Sequence, residues 1–252
     1  MRSQATAATL SLLSLGCLFA ATLHPFWLTQ SFDAPNNVHV IQGFGLFGFY
    51  STVEHASQLT TPFLASSTYV SYGALCASDF NAPNWMYGTL RDYQSKLCDA
   101  TWSLTHVLHL LTLALNLVAL TFNLRTLHTL EWTAAETVAG LTTMANGFLQ
   151  LCVLMLWSLQ LKPSITDIEV VNQNLVACAT WRHWSCWGFG VSFYLAALAV
   201  LWTLLTFSAI SSGRRQKIRR QRKEAVRRLL DAPQTVAVRT LSMASSYRET
   251  RD

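Results

Sequence analysis

The chain has 252 residues, of which 51% are apolar and only 12% are charged. Soluble domains carry about 25% charged residues, so this composition excludes an ordinary soluble domain and indicates a membrane protein. The formal net charge at pH 7 is +5, and the place of that charge in the chain bears on membrane orientation.

Four apolar blocks are each long enough to cross roughly 30 Å of hydrocarbon as a helix, which takes about 20 residues. We therefore predict an all-α membrane protein built as a four-transmembrane-helix bundle. In chain order, the predicted segments are an N-terminus with the first span (1–28), a first outer loop (29–100), the second span (101–122), an inner loop (123–132), the third span (133–161), a second outer loop (162–186), the fourth span (187–210) and a basic tail (211–252).

The first span also has features of a cleaved signal peptide, with Arg2 at its start and small residues at Ala20 and Ala21. We expect the span to be retained, because its apolar run continues into Phe26 and Trp27 and a tryptophan anchors a helix at the membrane surface. Cleavage would change the number of spans and leave the other predicted segments as they are.

A cluster of basic residues follows the fourth span. It contains Arg214, Arg215, Lys217, Arg219, Arg220, Arg222, Lys223, Arg227 and Arg228. Positive flanks stay on the cytoplasmic side, so we predict that both termini are cytoplasmic. We expect the cluster to continue the fourth helix and to bind anionic membrane lipids, each residue contributing about 1 kcal/mol. The alternative is a cluster that sets orientation without any lipid selectivity.

Four of the six cysteines, Cys76, Cys98, Cys178 and Cys186, lie in the predicted outer loops. An even number of cysteines on the oxidising side of a membrane indicates two disulfides. Of the three possible pairings we favour Cys76 with Cys98 and Cys178 with Cys186, since each pair stays within one loop; four free thiols are the alternative. His183 lies between the last two cysteines, but this set is one ligand short of a structural zinc site, so we predict no metal.

The first outer loop places β-branched and aromatic residues between turn residues, a pattern that is typical of strands. The pattern occurs in NNVHVIQGFGLFGFY and in SSTYVSYGALC. We predict a small extracellular β-sheet that caps the bundle, with the stretch from Gly43 to Tyr50 as one strand. The apolar side chains expected to fill the space between this sheet and the membrane are those of Phe44, Leu46, Phe47 and Phe49.

Few ionisable side chains lie within the predicted spans, where they are costly and often functional. His106 and His109 share one face of the second span, while Glu136 lies near the inner start of the third. A proton relay would need an acid at similar depth, so we favour a buried pair that is hydrogen bonded to serine, threonine or water. The residues expected to pack the third span against its neighbours are Ala134, Ala135, Ala139, Gly140, Thr142, Thr143, Asn146 and Gly147.

The sequence contains no motif for catalysis or cofactor binding. It lacks a Gly-x-Ser-x-Gly elbow, a phosphate loop, a His-Glu-x-x-His motif and a Cys-x-x-Cys motif. We therefore expect no enzymatic activity, no cofactor and no nucleic acid partner.

The outer loops carry a resemblance to a known superfamily. Trp27 leaves the first span in the stretch HPFW, and the triplet Gly45-Leu46-Phe47 follows in FGLF. This arrangement resembles the claudin and peripheral myelin protein superfamily and, within it, is similar to the lipoma HMGIC fusion partner-like tetraspans. The second loop adds LKPSITDIE and a cysteine, Cys186, just before the fourth span.

One feature of the superfamily is absent from its usual place. Its members carry a disulfide whose first cysteine follows the triplet closely, where Tyr50 stands here, and no cysteine occurs between that position and Cys76. Both cysteines of that bridge are missing together, which is the pattern expected of a relocated disulfide.

The resemblance implies a left-handed four-helix bundle with a claudin-like cap. We expect an integral protein of the plasma membrane. Members of the superfamily seal cell junctions or accompany channels, receptors and adhesion proteins. We accordingly expect a non-enzymatic auxiliary or assembly subunit that binds a larger membrane protein. The first alternative is a self-associating junction or barrier protein, and the second is a small channel or transporter that uses His106 and His109.

Overall fold

The computed structural model describes residues 2–34, 38–55, 65–77, 90–127, 134–165 and 187–249. The helices are α1 (Arg2–Leu23), α2 (Tyr72–Leu75), α3 (Leu90–Leu97), α4 (Ala100–Leu127), α5 (Ala134–Leu156) and α6 (Val191–Glu249), and the strands are β1 (Leu28–Ala34), β2 (Val38–Phe44), β3 (Gly48–His55), β4 (Ala65–Ser71) and β5 (Gly188–Phe189). Four helices of the described chain, α1, α4, α5 and α6, are long and apolar enough to cross a membrane. The predicted four-span bundle is therefore confirmed.

Each long helix has a row of buried polar side chains on its inner face and exposed leucines on its outer face. On α4 the buried positions are 102, 105, 109, 112, 116, 119, 120, 123 and 126. Apart from Leu120, their spacing alternates between three and four residues, the repeat of helices that pack as a left-handed bundle. The large apolar side chains of α4 that stay exposed, and so face lipid, are Leu104, Val107, Leu110, Leu111, Leu117, Val118 and Leu124.

The four helices form a closed ring in which α1 packs against α4 and α6, and α5 packs against α4 and α6. Small residues allow the approach of α5 to α6, because a Cβ atom on Gly147 would lie 3.4 Å from Thr203 Cγ2. Ala139, Thr143 and Asn146 are buried on the same face of α5. Most of the predicted packing surface of the third span is thus used within the chain, but Ala134 at the start of α5 is exposed, so its prediction as a packing residue was wrong.

A small antiparallel sheet lies where α1 ends and α4 begins, which we call the cap end; the opposite end, where α6 continues into the basic tail, is the tail end. The strand order is β4-β3-β2-β1-β5. Strand β5 comes from the chain just before α6 and pairs Phe189 with Leu28 of β1. The segments that precede the fourth span and follow the first are therefore joined in one sheet.

The stretch from Gly43 to Tyr50 is a hairpin turn, and its prediction as a single strand was wrong. Strand β2 ends at Phe44, β3 begins at Gly48, and the Gly45 N–H donates to the Gly48 carbonyl at 2.9 Å. A Cβ atom on Gly45 would lie 2.9 Å from the Pro25 carbonyl oxygen, so close packing on the end of α1 requires glycine there.

The turn also changes the expected role of one phenylalanine. Phe44, Leu46 and Phe49 are buried, whereas the Phe47 side chain is 49% exposed. The prediction that Phe47 fills the space beneath the sheet was therefore wrong, because successive residues of the turn face different sides: Leu46 is buried and Phe47 is exposed.

Several predicted boundaries differ from the observed ones. The first span was predicted to reach residue 28, but α1 ends at Leu23 because Pro25 has no N–H to continue the helix and Leu28 already pairs in β1. Helix α4 runs to Leu127, past the predicted start of the inner loop at 123. Helix α6 begins at Val191 rather than at 187 and continues to Glu249, which confirms that the tail extends the fourth helix.

The third span ends in an unusual way. After α5, residues Trp157–Leu161 form a π-helical turn, and helical geometry continues to residue 165, beyond the predicted boundary at 161. The inward positions are then Val153, Trp157, Leu161 and Ile165, four residues apart, which matches the wider repeat of a π-turn. Trp157, the first residue of the turn, is fully buried.

Candidate functional site

Five aromatic side chains close the cap end of the bundle, and we call them the aromatic plug: Trp27, Phe44, Trp102, Trp157 and Trp187. Trp27 is fully buried and stacks on Trp157 with ring centroids 4.9 Å apart. Trp102 meets the same Trp157 ring edge-on at 5.1 Å, and Phe44 lies 4.7 Å from Trp187. Residues from α4, the π-turn and the sheet therefore meet in one apolar cluster.

Trp27 is the member that fixes the plug to the first span. Its indole N–H donates to the Ala21 carbonyl at 3.0 Å, and its backbone N–H donates to the Phe44 carbonyl at 2.9 Å. The tryptophan of the predicted family motif thus links α1 to strand β2. Of the triplet in that motif, Gly45 and Leu46 are buried in the turn while Phe47 faces outward.

Below the plug, the middle of the bundle is held by a chain of hydrogen bonds that we call the four-helix network. Asn116 of α4 donates its amide to Ser14 Oγ of α1 at 2.7 Å. Ser14 Oγ lies 2.8 Å from Thr203 Oγ1 of α6, which donates to Gln150 Oε1 of α5 at 3.3 Å. All four side chains are buried, so one polar chain joins all four helices in the middle of the bundle.

The two histidines of the second span have separate environments. His109 is buried, its Nε2 lies 2.9 Å from Thr22 Oγ1, and its ring meets Trp27 edge-on. His106 is only partly buried and packs against the rings of Tyr72 and Trp102. The favoured interpretation of a buried residue hydrogen bonded to threonine is confirmed for His109 alone.

Tyr72, the first residue of α2, is hydrogen bonded to the hairpin turn between β2 and β3. Its hydroxyl donates to the Gly45 carbonyl at 2.8 Å, and burial raises the pKa of this phenol well above its ordinary value. Tyr72 therefore stays protonated and keeps this hydrogen bond at physiological pH.

At the tail end three helices are joined by a set of side chains that we call the clasp: Gln4, Glu136 and Lys217. The Gln4 amide of α1 donates to Glu136 Oε1 of α5 at 2.8 Å, and the same oxygen pairs with the Lys217 ammonium of α6. Glu136 thus lies at the opposite end of the bundle from His106 and His109. Lys217 is held within the chain in this way, because the partly buried Glu136 carboxylate needs a cation, and its contact with lipid stays a prediction.

The first predicted disulfide is present. Cys76, just after α2, is bonded to Cys98, just after α3, with 5.7 Å between the Cα atoms. The Gln94 amide of α3 also donates to the Leu75 carbonyl at 2.8 Å, so the bridge and a hydrogen bond join the same two segments. The second predicted pair, Cys178 with Cys186, lies outside the described residues, as does His183.

The part of the chain that the structure describes forms no metal-binding cluster. Within it, no group of three or more His, Cys, Asp and Glu side chains could hold a metal ion. The chemical groups that remain accessible are on the outside: lipid-facing leucines, aromatic side chains near the sheet, and the basic residues of the tail.

The four-helix network gives a direct mutational test. We expect Asn116→Ala to lower the free energy of unfolding by about 1–2 kcal/mol, because it removes an interhelical hydrogen bond and leaves a buried hydroxyl with one partner fewer. Thr121→Ala on the same helix is the matched control, since the Thr121 hydroxyl is exposed and donates only to Leu117 of its own helix. Unfolding in mixed micelles measures the free energy of unfolding of both variants. An equal loss for Asn116→Ala and Thr121→Ala would contradict a stabilising role of the four-helix network.

Sequence reasoning missed two of these features. It did not anticipate that polar residues on all four helices would share one hydrogen-bonded chain, although the alternation of three and four residues between Thr105, His109, Thr112 and Asn116 was available as a signal. It also did not pair Glu136 with Lys217, which are 81 positions apart.

No protein-family model matches this chain, and no curated protein is significantly similar to it. The resemblance carried by Trp27 and by the triplet at 45–47 therefore stays a prediction.

Proposed function

We propose that this chain is a non-enzymatic auxiliary or assembly subunit of a larger membrane channel, receptor or adhesion complex. We place it in the plasma membrane with both termini in the cytoplasm. The observation that carries the proposal is that hydrogen bonds cross the interior of the bundle between all four helices and stacked aromatic rings close its cap end, while apolar and aromatic side chains are exposed on its surface. We infer that such a protein functions through contacts of its surface with other membrane proteins.

The interior leaves the chain little chemistry of its own. The aromatic plug occupies the axis at the cap end, the four-helix network crosses it in the middle, and the clasp joins three helices at the tail end. Polar side chains in lipid are a means of holding helices together, and here those of the four-helix network bond across helices. The interior thus serves to keep the bundle rigid.

The outer surface offers a specific feature at the cap end, an aromatic step formed by Phe47 and Tyr69. Phe47 is 49% exposed and Tyr69 is 52% exposed. The Tyr69 ring packs over Gly48, the residue that follows Phe47, because a Cβ atom on Gly48 would come within 2.8 Å of that ring. Tyr69 is on β4, the strand at one edge of the sheet.

Exposed aromatic residues beside a sheet edge are suited to protein contacts. Aromatic side chains dominate the binding energy of interfaces, and an edge strand offers unpaired backbone groups to a partner. We infer that the aromatic step meets the outer domain of the partner and that the lipid-facing sides of the helices meet its membrane helices.

The self-association alternative would use the same step against a second copy of the chain. The channel alternative has one observation in its favour, the series of polar residues that lines the axis from Thr105 to Thr126 on α4. Such a channel would have to break the hydrogen bonds from Asn116 to Ser14 and from His109 to Thr22, which is why we rank it last.

Site-specific crosslinking in the native cell type tests the proposal. A photoreactive phenylalanine analogue is placed at Phe47 or at Tyr69, and in a matched variant at Leu124, which is 47% exposed on α4 toward the tail end. We expect adducts from the two cap-end positions with one larger membrane protein, which should also co-purify in constant ratio in mild detergent.

The other outcomes separate the alternatives. Adducts only between copies of this chain would contradict the auxiliary role and support a junction or barrier protein. Equal adduct yields from Leu124 and from the cap-end positions would contradict the aromatic step as the contact surface. Ion or proton flux through liposomes that contain the purified chain would support the channel alternative.

A further inference from the structure

We propose that the distal half of the basic cluster binds an acidic segment of a cytoplasmic protein, and that the bundle holds this half away from the membrane. The distal set is Arg222, Lys223, Arg227 and Arg228, and the proximal set is Arg214, Arg215, Arg219 and Arg220. The inference does not depend on the identity of the partner proposed above, since it concerns the opposite end of the molecule.

The direction of the tail helix is set by the bundle. Helix α6 runs without a break from Val191 to Glu249 and packs along both α1 and α5. Gly213 lies against Ser3 of α1, since a Cβ atom there would come within 2.7 Å of the serine hydroxyl. Lys217 is paired with Glu136 of α5. Two contacts therefore hold the helix parallel to the bundle at the point where the basic residues begin.

The rise of the helix then places the two sets at different heights. The last large exposed apolar side chain before the tail is Phe207, and we take Ile210 as the edge of the hydrocarbon. At 1.5 Å per residue, Arg214 stands about 6 Å beyond that edge, Arg222 about 18 Å and Arg228 about 27 Å. A tilt of about 20°, the usual value for a membrane helix, changes these heights little.

Only the proximal set is close enough to feel anionic lipids strongly. The headgroup layer is roughly 5–8 Å thick on each side, and the Debye length at physiological ionic strength is about 8 Å. The distal set stands more than one Debye length beyond the headgroups, so the surface potential acting on it is largely screened. The lipid contact predicted for the whole cluster is thereby restricted to its proximal part.

The distal set is accessible and chemically suited to an acidic peptide. Every residue from 219 to 228 is exposed, and the four distal cations form no ion pair with any described residue. The stretch RRQRKEAVRR has no large apolar face, which a helix needs in order to lie in the membrane surface. It also has no aromatic residue on which bases of single-stranded nucleic acid could stack. A carboxylate-rich protein segment remains the best match.

Two matched variants of the full chain in nanodiscs test this inference. One replaces Arg222, Lys223, Arg227 and Arg228 by Gln, and the other replaces the proximal set by Gln, so that both lose the same charge. The probe is a fluorescein-labelled polyglutamate peptide, and its anisotropy is titrated in phosphatidylcholine discs. We expect the distal variant to bind the peptide about tenfold more weakly and the proximal variant less than threefold more weakly, because each exposed ion pair contributes only modestly.

A second measurement locates the helix relative to the membrane. A fluorophore is attached at Gln216→Cys or Val226→Cys, in a Cys17→Ala and Cys152→Ala background, and lipids with a nitroxide on the headgroup serve as quenchers. We expect quenching at residue 216 and little at residue 226, with or without phosphatidylserine. Strong quenching at 226 would overturn the proposal in favour of a tail that lies on the membrane. Equal weakening by the two variants, or tighter binding of a single-stranded RNA than of polyglutamate, would overturn it as well.

Discussion

Replacing Trp27 with alanine is expected to destabilise the protein more than any other single truncation discussed above, by about 3–5 kcal/mol. The fully buried indole stacks on Trp157 and meets His109 edge-on. Its removal opens a cavity where α1, the sheet and the π-turn meet, and it removes the hydrogen bond to Ala21. Thermal unfolding in detergent, followed by tryptophan fluorescence and circular dichroism, measures the loss.

Two control variants test whether the loss of stability comes from the buried ring of Trp27. Trp27→Phe keeps a ring against Trp157 and lacks only the N–H donor and part of the volume, so its effect should be less than half as large. Phe148→Ala removes an aromatic side chain that is 66% exposed on α5, and it should change stability by no more than about 0.5 kcal/mol. A similar loss from Trp27→Ala and Phe148→Ala would show that the plug does not hold the cap end together.

Loss of the disulfide between Cys76 and Cys98 is expected to have the second largest effect. The bridge closes a loop over a sequence separation of 22 residues, and chain entropy predicts a stabilisation of about 3 kcal/mol for a loop of that length. Cys76→Ser, Cys98→Ser and the double variant should therefore lose similar amounts. Unfolding measured with and without a reductant should show the wild type approaching the variants when it is reduced.

A free cysteine provides the control for the disulfide variants. Cys152 is free and half-buried on α5, so Cys152→Ala should leave both the melting temperature and its response to reductant nearly unchanged. Peptide mapping without reduction should recover the fragments containing Cys76 and Cys98 linked to each other. If those fragments were recovered separately and alkylated, the bridge and the associated loss of stability would both be contradicted.

The number of membrane spans followed from composition alone because the hydrocarbon core imposes a minimum apolar length on each helix. Their ends did not. Hydropathy treats residues 24–28 as a continuation of the first span, yet Pro25 interrupts the helix and Leu28 pairs with Phe44 and Phe189 in the sheet. Strand pairing depends on partners far away in the chain, and a local hydropathy average carries no information about them.

The same distinction applies to the candidate surfaces. The disulfide between Cys76 and Cys98 was predictable because both cysteines lie in one loop. The hairpin at Gly45 was misread as a strand, since alternating glycine and phenylalanine fits an extended chain as well as it fits a tight turn between two strands. Exposure of Phe47 followed from that turn, and no residue pattern within the loop could distinguish it from the buried Phe49.

By itself, the sequence determined that this is a four-span membrane protein with a strand-rich first loop, one disulfide within that loop and a basic tail that continues the last helix, because each of these properties depends on local composition or short spacing. Only the tertiary structure decided which polar residues bond across helices, that Glu136 holds Lys217, and that Trp27 lies over the bundle axis on Trp157. Those contacts join residues from different helices. They form because buried polar groups need hydrogen-bond partners and large aromatic rings need close-packed neighbours when the helices pack. Those partners are distant in the sequence, so only the packing of the helices determines them.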